Sequence, residues 1–145
     1  MGLTYKYKRV KRAKNIEIKT PSIPVSLSGK GGRYGFIALL DSGADISVIS
    51  QEVAELLGLD LSGEREEATG IGGKVPAVQT SVNIEIGKPH EIYNFSIPVK
   101  VILDRGVVED LPILLGRVGF FDKFVITFNQ REEKVIIKKN VNNFR

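Results

Sequence analysis

The chain has 145 residues, 42% of them hydrophobic and 26% charged, the size and make-up of one soluble globular domain able to bury a core. It has no cysteine, which excludes disulfide frameworks, thiolate zinc sites and cysteine nucleophiles, and its one histidine, His90, leaves little for a histidine metal site or a Ser-His-Asp triad. The formal charge of +4 is unevenly placed: residues 1–15 hold Lys6, Lys8, Arg9, Lys11, Arg12 and Lys14 with no acid, leaving 15 basic against 17 acidic residues elsewhere.

In chain order, the basic segment reads as a solvated arm or an edge strand, because Tyr5 and Tyr7 alternate with Lys6 and Lys8. Two β-prone runs over 23–40 flank Ser28-Gly29-Lys30-Gly31-Gly32, a hairpin loop. The second run stops at Asp41-Ser42-Gly43, and 46-ISVIS-50 follows as a short buried strand. Ser50 is placed to cap a helix of about two turns, with Val53, Leu56 and Leu57 as its apolar face and Gly58 as its end.

Residues 64–86 rise into the glycine-rich tip Gly70-Ile71-Gly72-Gly73 and return as a strand alternating Val82, Ile84 and Ile86 with polar residues. Gly87-Lys88-Pro89 is a turn signal, His90 reads as a surface residue beside it, and 95–103 is a half-buried strand. The run 111-LPILLG-116 is a buried strand, 117-RVGFFDKF-124 holds a helical turn, and strands at 124–128 and 134–139 close the chain. The expectation is an all-β domain, a closed barrel-like sheet with one or two short helices. No apolar run approaches the ~20 residues of a membrane span, no signal peptide is expected, and the absence of cysteine fits a cytoplasmic location.

The chemistry is concentrated in 37-IALLDSGADISVIS-50. A carboxylate directly after four apolar residues must be hydrogen-bonded or paired, since an uncompensated buried charge is costly. Ser42 and Gly43 supply the means, a tight turn whose backbone N–H groups face the Asp41 carboxylate. An Asp-Ser-Gly by itself is more often a plain turn ending a strand. Its flanks and two distant motifs decide otherwise.

The run Leu39-Leu40-Asp41-Ser42-Gly43-Ala44-Asp45 resembles the active-site signature of retropepsin-like aspartic proteases. Gly70-Ile71-Gly72-Gly73, which begins 29 residues after Asp41, is similar to the family's flap tip. Residues 113-ILLGR-117 resemble the hydrophobic-hydrophobic-Gly element behind the catalytic loop, and 120-FFDKFVITF-128 the short helix and strand after it. The resemblance covers roughly 23–138, so 21–145 is taken as the retropepsin-like domain of acid-protease fold and 1–20 as a basic extension.

The resemblance implies a homodimeric peptidase without a metal or cofactor. A single such motif is present, since 102-ILDRG-106 has Arg105 where a hydroxyl residue is needed, so the aspartate pair must come from Asp41 of two copies. Two carboxylates at short range share one proton, and the pair activates a water against a peptide carbonyl. Ser42 and Gly43 then support the loop, with the Ser42 hydroxyl bracing the two copies. Ala44, Asp45, Gly70, Ile71, Gly72, Gly73 and Leu114 are substrate-binding, while Gly116 and Arg117 are structural, Arg117 pairing with Asp45. Loops around 87–94 and 104–111 exceed a minimal retroviral protomer.

The partners expected are a second copy and a peptide or protein substrate, with no membrane. Nucleic acid is unlikely, the basic arm 1–15 being the only hint of it. The alternative function is a retropepsin-like dimerisation or peptide-binding module without turnover. Ala44 stands where pepsins carry a hydroxyl that would bond the carboxylate, so the shared proton is held to higher pH. A pH–rate profile should therefore peak between mildly acidic and near-neutral pH, and a maximum confined to strong acid contradicts this reading.

Overall fold

The structure, a computed structural model, describes residues 2–11, 16–70, 73–103 and 111–141. It is built mostly of strands: β1 Leu3–Lys6, β2 Lys8–Lys11, β3 Glu17–Thr20, β4 Ser22–Gly29, β5 Gly32–Leu40 and β6 Ser47–Ser50 precede the helix α1 Gln51–Leu56. Then come β7 Arg65–Gly70, β8 Gly73–Lys88, β9 Glu91–Ile102, β10 Ile113–Leu115, a 3₁₀ turn Phe121–Lys123, β11 Phe124–Asn129 and β12 Lys134–Lys139.

The main sheet runs β4-β5-β10-β6-β9-β8-β7, and β4 also bonds to β8 through Ser26–Ser28. A second sheet runs β1-β12-β11, and β2 pairs with β3 alone. Strand alternation explains the division of faces. In β8, Val82, Ile84 and Ile86 are buried, and in β9 Ile97, Val99 and Val101 face the same core. Each such side chain contributes roughly 1.5–3 kcal/mol when fully withdrawn from water. Phe120 is fully buried, its ring centroid 5.3 Å from that of Phe124 and 6.0 Å from that of Phe95, which fastens the second sheet to β9.

Most local expectations hold. The Ser50 side chain accepts the Val53 N–H at 3.2 Å and caps α1, and Val53 and Leu57 pack on the core as expected while Leu56 does not. Ala54 and Leu57 are buried, whereas Leu56 is 45% exposed, because six residues present only about one turn and a half to the sheet. The expected long loop at 87–94 is instead a tight hairpin. Lys88 pairs with Glu91 around Pro89 and His90, both exposed, and the β8–β9 ladder continues from there. Gly87 makes this possible: its φ is +146°, and a Cβ there would lie 2.3 Å from the Glu91 carbonyl oxygen. In the same hairpin the Tyr93 hydroxyl donates to Glu91, and burial, with that carboxylate beside it, pushes the phenol up from 10.0 to about 12. The stability from this bond is complete below pH 10 and is lost as pH rises through about 12. Residues 104–110 lie outside the described residues.

In its described residues the basic N-terminal segment takes the edge-strand reading and not that of a solvated arm. Leu3, Tyr5 and Tyr7 are 0%, 5% and 7% exposed and join the same core as Ile84 and Ile137, while β1 pairs antiparallel with β12. Lys88 Nζ donates to the Thr4 carbonyl at 2.6 Å and lies 5.0 Å over the Tyr5 ring, tying β1 to the β8–β9 hairpin. Among the described residues no helix is long and apolar enough to cross a membrane.

If β1 belongs to the folding unit, Leu3→Ala should lower stability by about 2–5 kcal/mol, the usual cost of emptying a packed leucine site. Urea denaturation reads this directly; a midpoint equal to that of the unaltered chain would mean that β1 packs without contributing.

Candidate active site

The site is created by a strand inserted between two others. β5 delivers the chain to Asp41 and β6 takes it away, yet the two are not neighbours, because β10 lies between them. Leu114 pairs in parallel with Leu39 and antiparallel with Val48. The connection 41–46 must therefore span two inter-strand spacings, about 10 Å, over the end of β10. Ala38, Leu40 and Leu115 are buried and hold that end of the sheet together.

Five hydrogen bonds fix the loop over β10. The Asp41 N–H donates to the Leu115 carbonyl at 3.0 Å, and the Ala44 N–H closes a turn on the Asp41 carbonyl at 3.1 Å. On the other side the Arg117 and Val118 N–H groups donate to the carbonyls of Ala44 and Asp45, each at 2.9 Å. The fifth bond comes from a residue that motif reading passed over. Ser47 is fully buried, and its Oγ accepts the Gly116 N–H at 3.0 Å. The signal for it was a hydroxyl at the second position of 46-ISVIS-50, ahead of Val48 and Ile49 and apart from Ser50, which caps the helix.

One glycine is required by close approach and a second is crowded. A Cβ on Gly116 would sit 2.7 Å from the Ile46 carbonyl carbon and 2.9 Å from the Ala44 carbonyl oxygen, distances that no side chain tolerates. A Cβ on Gly43 would sit 3.2 Å from Asp41 Oδ1, just where the Gly43 N–H donates to that oxygen at 2.9 Å. The turn thus aims a backbone donor at the carboxylate as its sequence suggested. After Gly116 the chain turns back: the Phe121 N–H donates to the Gly116 carbonyl at 3.2 Å, and Asp122 accepts the Gly119 N–H at 3.0 Å.

The expected residues divide into two groups. Asp41, Ser42, Gly43, Ala44, Asp45, Leu114, Gly116 and Arg117 converge on this loop. Asp41 and Ala44 are half-buried, while Ser42, Gly43 and Asp45 are exposed, so the carboxylate lies at an open surface of the chain. Asp45 and Arg117 form an ion pair, with side chains 82% and 56% exposed, and solvent screening leaves it more an orienting contact than a stabilising one. The glycine-rich tip lies elsewhere, at the end of the β7–β8 ladder, where Gly70 pairs with Gly73. Ile71 and Gly72 fall outside the described residues. Among the described residues no group of three His, Cys, Asp or Glu side chains is placed to hold a metal ion.

Because Gly116 has no space for a side chain, Gly116→Ala should cost roughly 1–3 kcal/mol of stability and displace the 44–46 backbone. Thermal melting and amide chemical shifts of Ala44–Ser47 test this; unaltered values for both would show that the contact is not tight.

Comparison with known proteins gives this geometry its family. No curated protein matches the chain. Among solved structures, a retropepsin-like aspartic protease from Rickettsia conorii superposes with a TM-score of 0.56 over 94% of this chain and 98% of its own, at 14% identity. EIAV protease complexed with the inhibitor HBY-793 is 25% identical over 74% of this chain and 88% of its own, with a TM-score of 0.41. The retroviral protease-like domain of Ddi1 from Leishmania major is 13% identical over 88% of this chain and all of its own, with a TM-score of 0.47. The Rickettsia likeness supports the fold. The sequence profile described as aspartyl protease matches residues 11–117, a span that includes the Asp41 loop, the glycine-rich hairpin and Gly116: the chain belongs to the aspartyl protease family.

Proposed function

We propose that two copies of this chain form an aspartic endopeptidase in which the Asp41 carboxylates face each other across a twofold axis. The observation that carries this reading is the Asp41–Gly43 turn, held open over β10 with its carboxylate accepting a backbone N–H at 2.9 Å. The chain carries this turn once, so the second carboxylate comes from a second copy. One Asp41 is ionised and draws a proton from the water between them. Its protonated counterpart polarises the scissile carbonyl, and no covalent intermediate forms. The two protons titrate as a property of the pair.

The remaining residues take their roles from this arrangement. Ser42, exposed at the loop, braces one copy against the other, and Gly43 keeps the turn. Ala44, Ile71 and Leu114 line subsites, and Asp45, oriented by Arg117, meets the substrate backbone. Gly70, Gly72 and Gly73 let the β7–β8 hairpin close as a flap over an extended peptide bound by main-chain hydrogen bonds. The β4–β8 pairing supports reading the main sheet as a closed barrel within a domain over 21–145, with 1–20 as an extension of that domain.

Edge strand β11 supports the dimer. Among the described residues it pairs with β12 only, and it exposes Val125 at 56% on one face and Phe128 at 39% on the other, so a second copy could extend the sheet along its open edge. Asp41→Asn should abolish cleavage of a peptide library while leaving the dimer and its melting temperature intact. Cleavage retained by that variant would refute the mechanism. A dimer of the unaltered chain that binds peptides and cleaves none would leave the fold as a binding module.

A further inference from the structure

The basic segment has no task in the peptidase reading, yet it has a defined shape. β2 and β3 form a two-stranded antiparallel ribbon that belongs to neither of the larger sheets. One residue, Tyr7, separates this ribbon from β1. Within these strands like charges stand directly opposite each other twice: Arg9 faces Lys19 across the ribbon, and Lys6 faces Lys134 across the β1–β12 ladder. Such pairs destabilise a sheet in the absence of a counter-charge.

Three acids offset part of this. Glu17 lies 3.6 Å from Arg9, Glu133 3.4 Å from Lys19, and Glu132 2.9 Å from Lys134. No acid among the described residues lies within ion-pair distance of Lys6, Lys8, Lys11 or Lys138. Strands β1, β2, β3 and β12 together carry eight basic side chains against Glu17 alone. The positive charge of the chain is therefore gathered on one ribbon and the strands that adjoin it.

We propose that this ribbon, with β1 and β12, binds the phosphate backbone of duplex nucleic acid. Two strands about 4.8 Å apart with their side chains match a major groove about 12 Å wide. The register puts Arg9, Lys19, Lys11 and Glu17 on one face, so the ribbon offers a mostly cationic side to phosphates. A single strand is the poorer fit, because binding it draws on exposed aromatic platforms, and Tyr5 and Tyr7 are buried. A lipid surface is also the poorer fit, since Ile16 and Ile18 are the large exposed apolar side chains at the ribbon and supply little to insert. Contacts of this kind position without reading bases, so binding is independent of sequence. The inference does not rest on the peptidase reading.

The test is titration of a fluorescent DNA duplex of about 20 base pairs with the full chain at several salt concentrations, followed by anisotropy. With four or five phosphates neutralised, log K should fall with log salt with a slope of about −4. The triple variant Arg9→Gln, Lys11→Gln, Lys19→Gln should weaken binding at least about tenfold and flatten the slope by about two. The double variant Lys6→Gln, Lys138→Gln should weaken it separately, which keeps the test informative if the triple variant misfolds. No binding at about 50 mM salt, affinity of both variants equal to that of the unaltered chain, tighter binding to single-stranded DNA, or binding to phosphatidylserine vesicles without binding to duplex would each overturn the proposal.

Discussion

The active-site loop depends on one geometric constraint, the passage of β10 between β5 and β6. Because β10 occupies the space between them, the connection from Leu40 to Ser47 cannot be a tight hairpin and must arch over Gly116. That arch leaves backbone groups on both sides, and nearly every feature of the site meets that demand. Leu115, Arg117 and Val118 take up backbone groups of Asp41, Ala44 and Asp45, and Ser47 takes up the N–H of Gly116. An unpaired buried N–H would cost about 1–3 kcal/mol, so a hydroxyl placed inside an apolar strand is the lesser cost. The Asp41 carboxylate is left at the open side of an arch whose other side is fully bonded.

The surroundings follow the same logic at lower precision. The Asp45–Arg117 pair lies across the base of the arch in solvent, where it orients more than it stabilises. The long β8–β9 ladder carries the glycine-rich hairpin away from the core, with β7 bonded only to β8 at the sheet edge. Besides that ladder, Glu66 of β7 reaches Lys100 of β9 at 3.4 Å, so the strand is held at the sheet edge by few contacts. At the opposite extreme, the aromatic cluster of Phe95, Phe120 and Phe124 fixes the segment that follows Gly116.

Much of the fold was legible because its signals are local. Alternation in 82–86 and 95–103, glycine at hairpin tips and Ser50 before a helical run each act within a few residues, and each appears as read. The misreadings were of partnership. Leu56 has the right spacing for a buried helical face, but beside Val53 and Leu57, which pack as expected, it is Ala54 that is buried. Residues 87–94 have loop composition, but Gly87 allows a turn of two residues. The alternation of Tyr5 and Tyr7 with lysines fits the edge strand that β1 forms, but nothing local shows that its partner is β12 or that both tyrosines are buried.

The sequence by itself determined the class of protein and the identity of its candidate site. Asp41-Ser42-Gly43-Ala44-Asp45 is contiguous, its chemistry is local, and the missing cysteines exclude a cysteine nucleophile. Tertiary structure decided what holds that site in place. Ser47 and Gly116 are 69 residues apart, Asp45 and Arg117 are 72 apart, and the N-terminal strand finds its partner at the far end of the chain. Hydrogen bonds over such separations depend on which strands become neighbours, and strand order is a property of the whole sheet that no local pattern encodes.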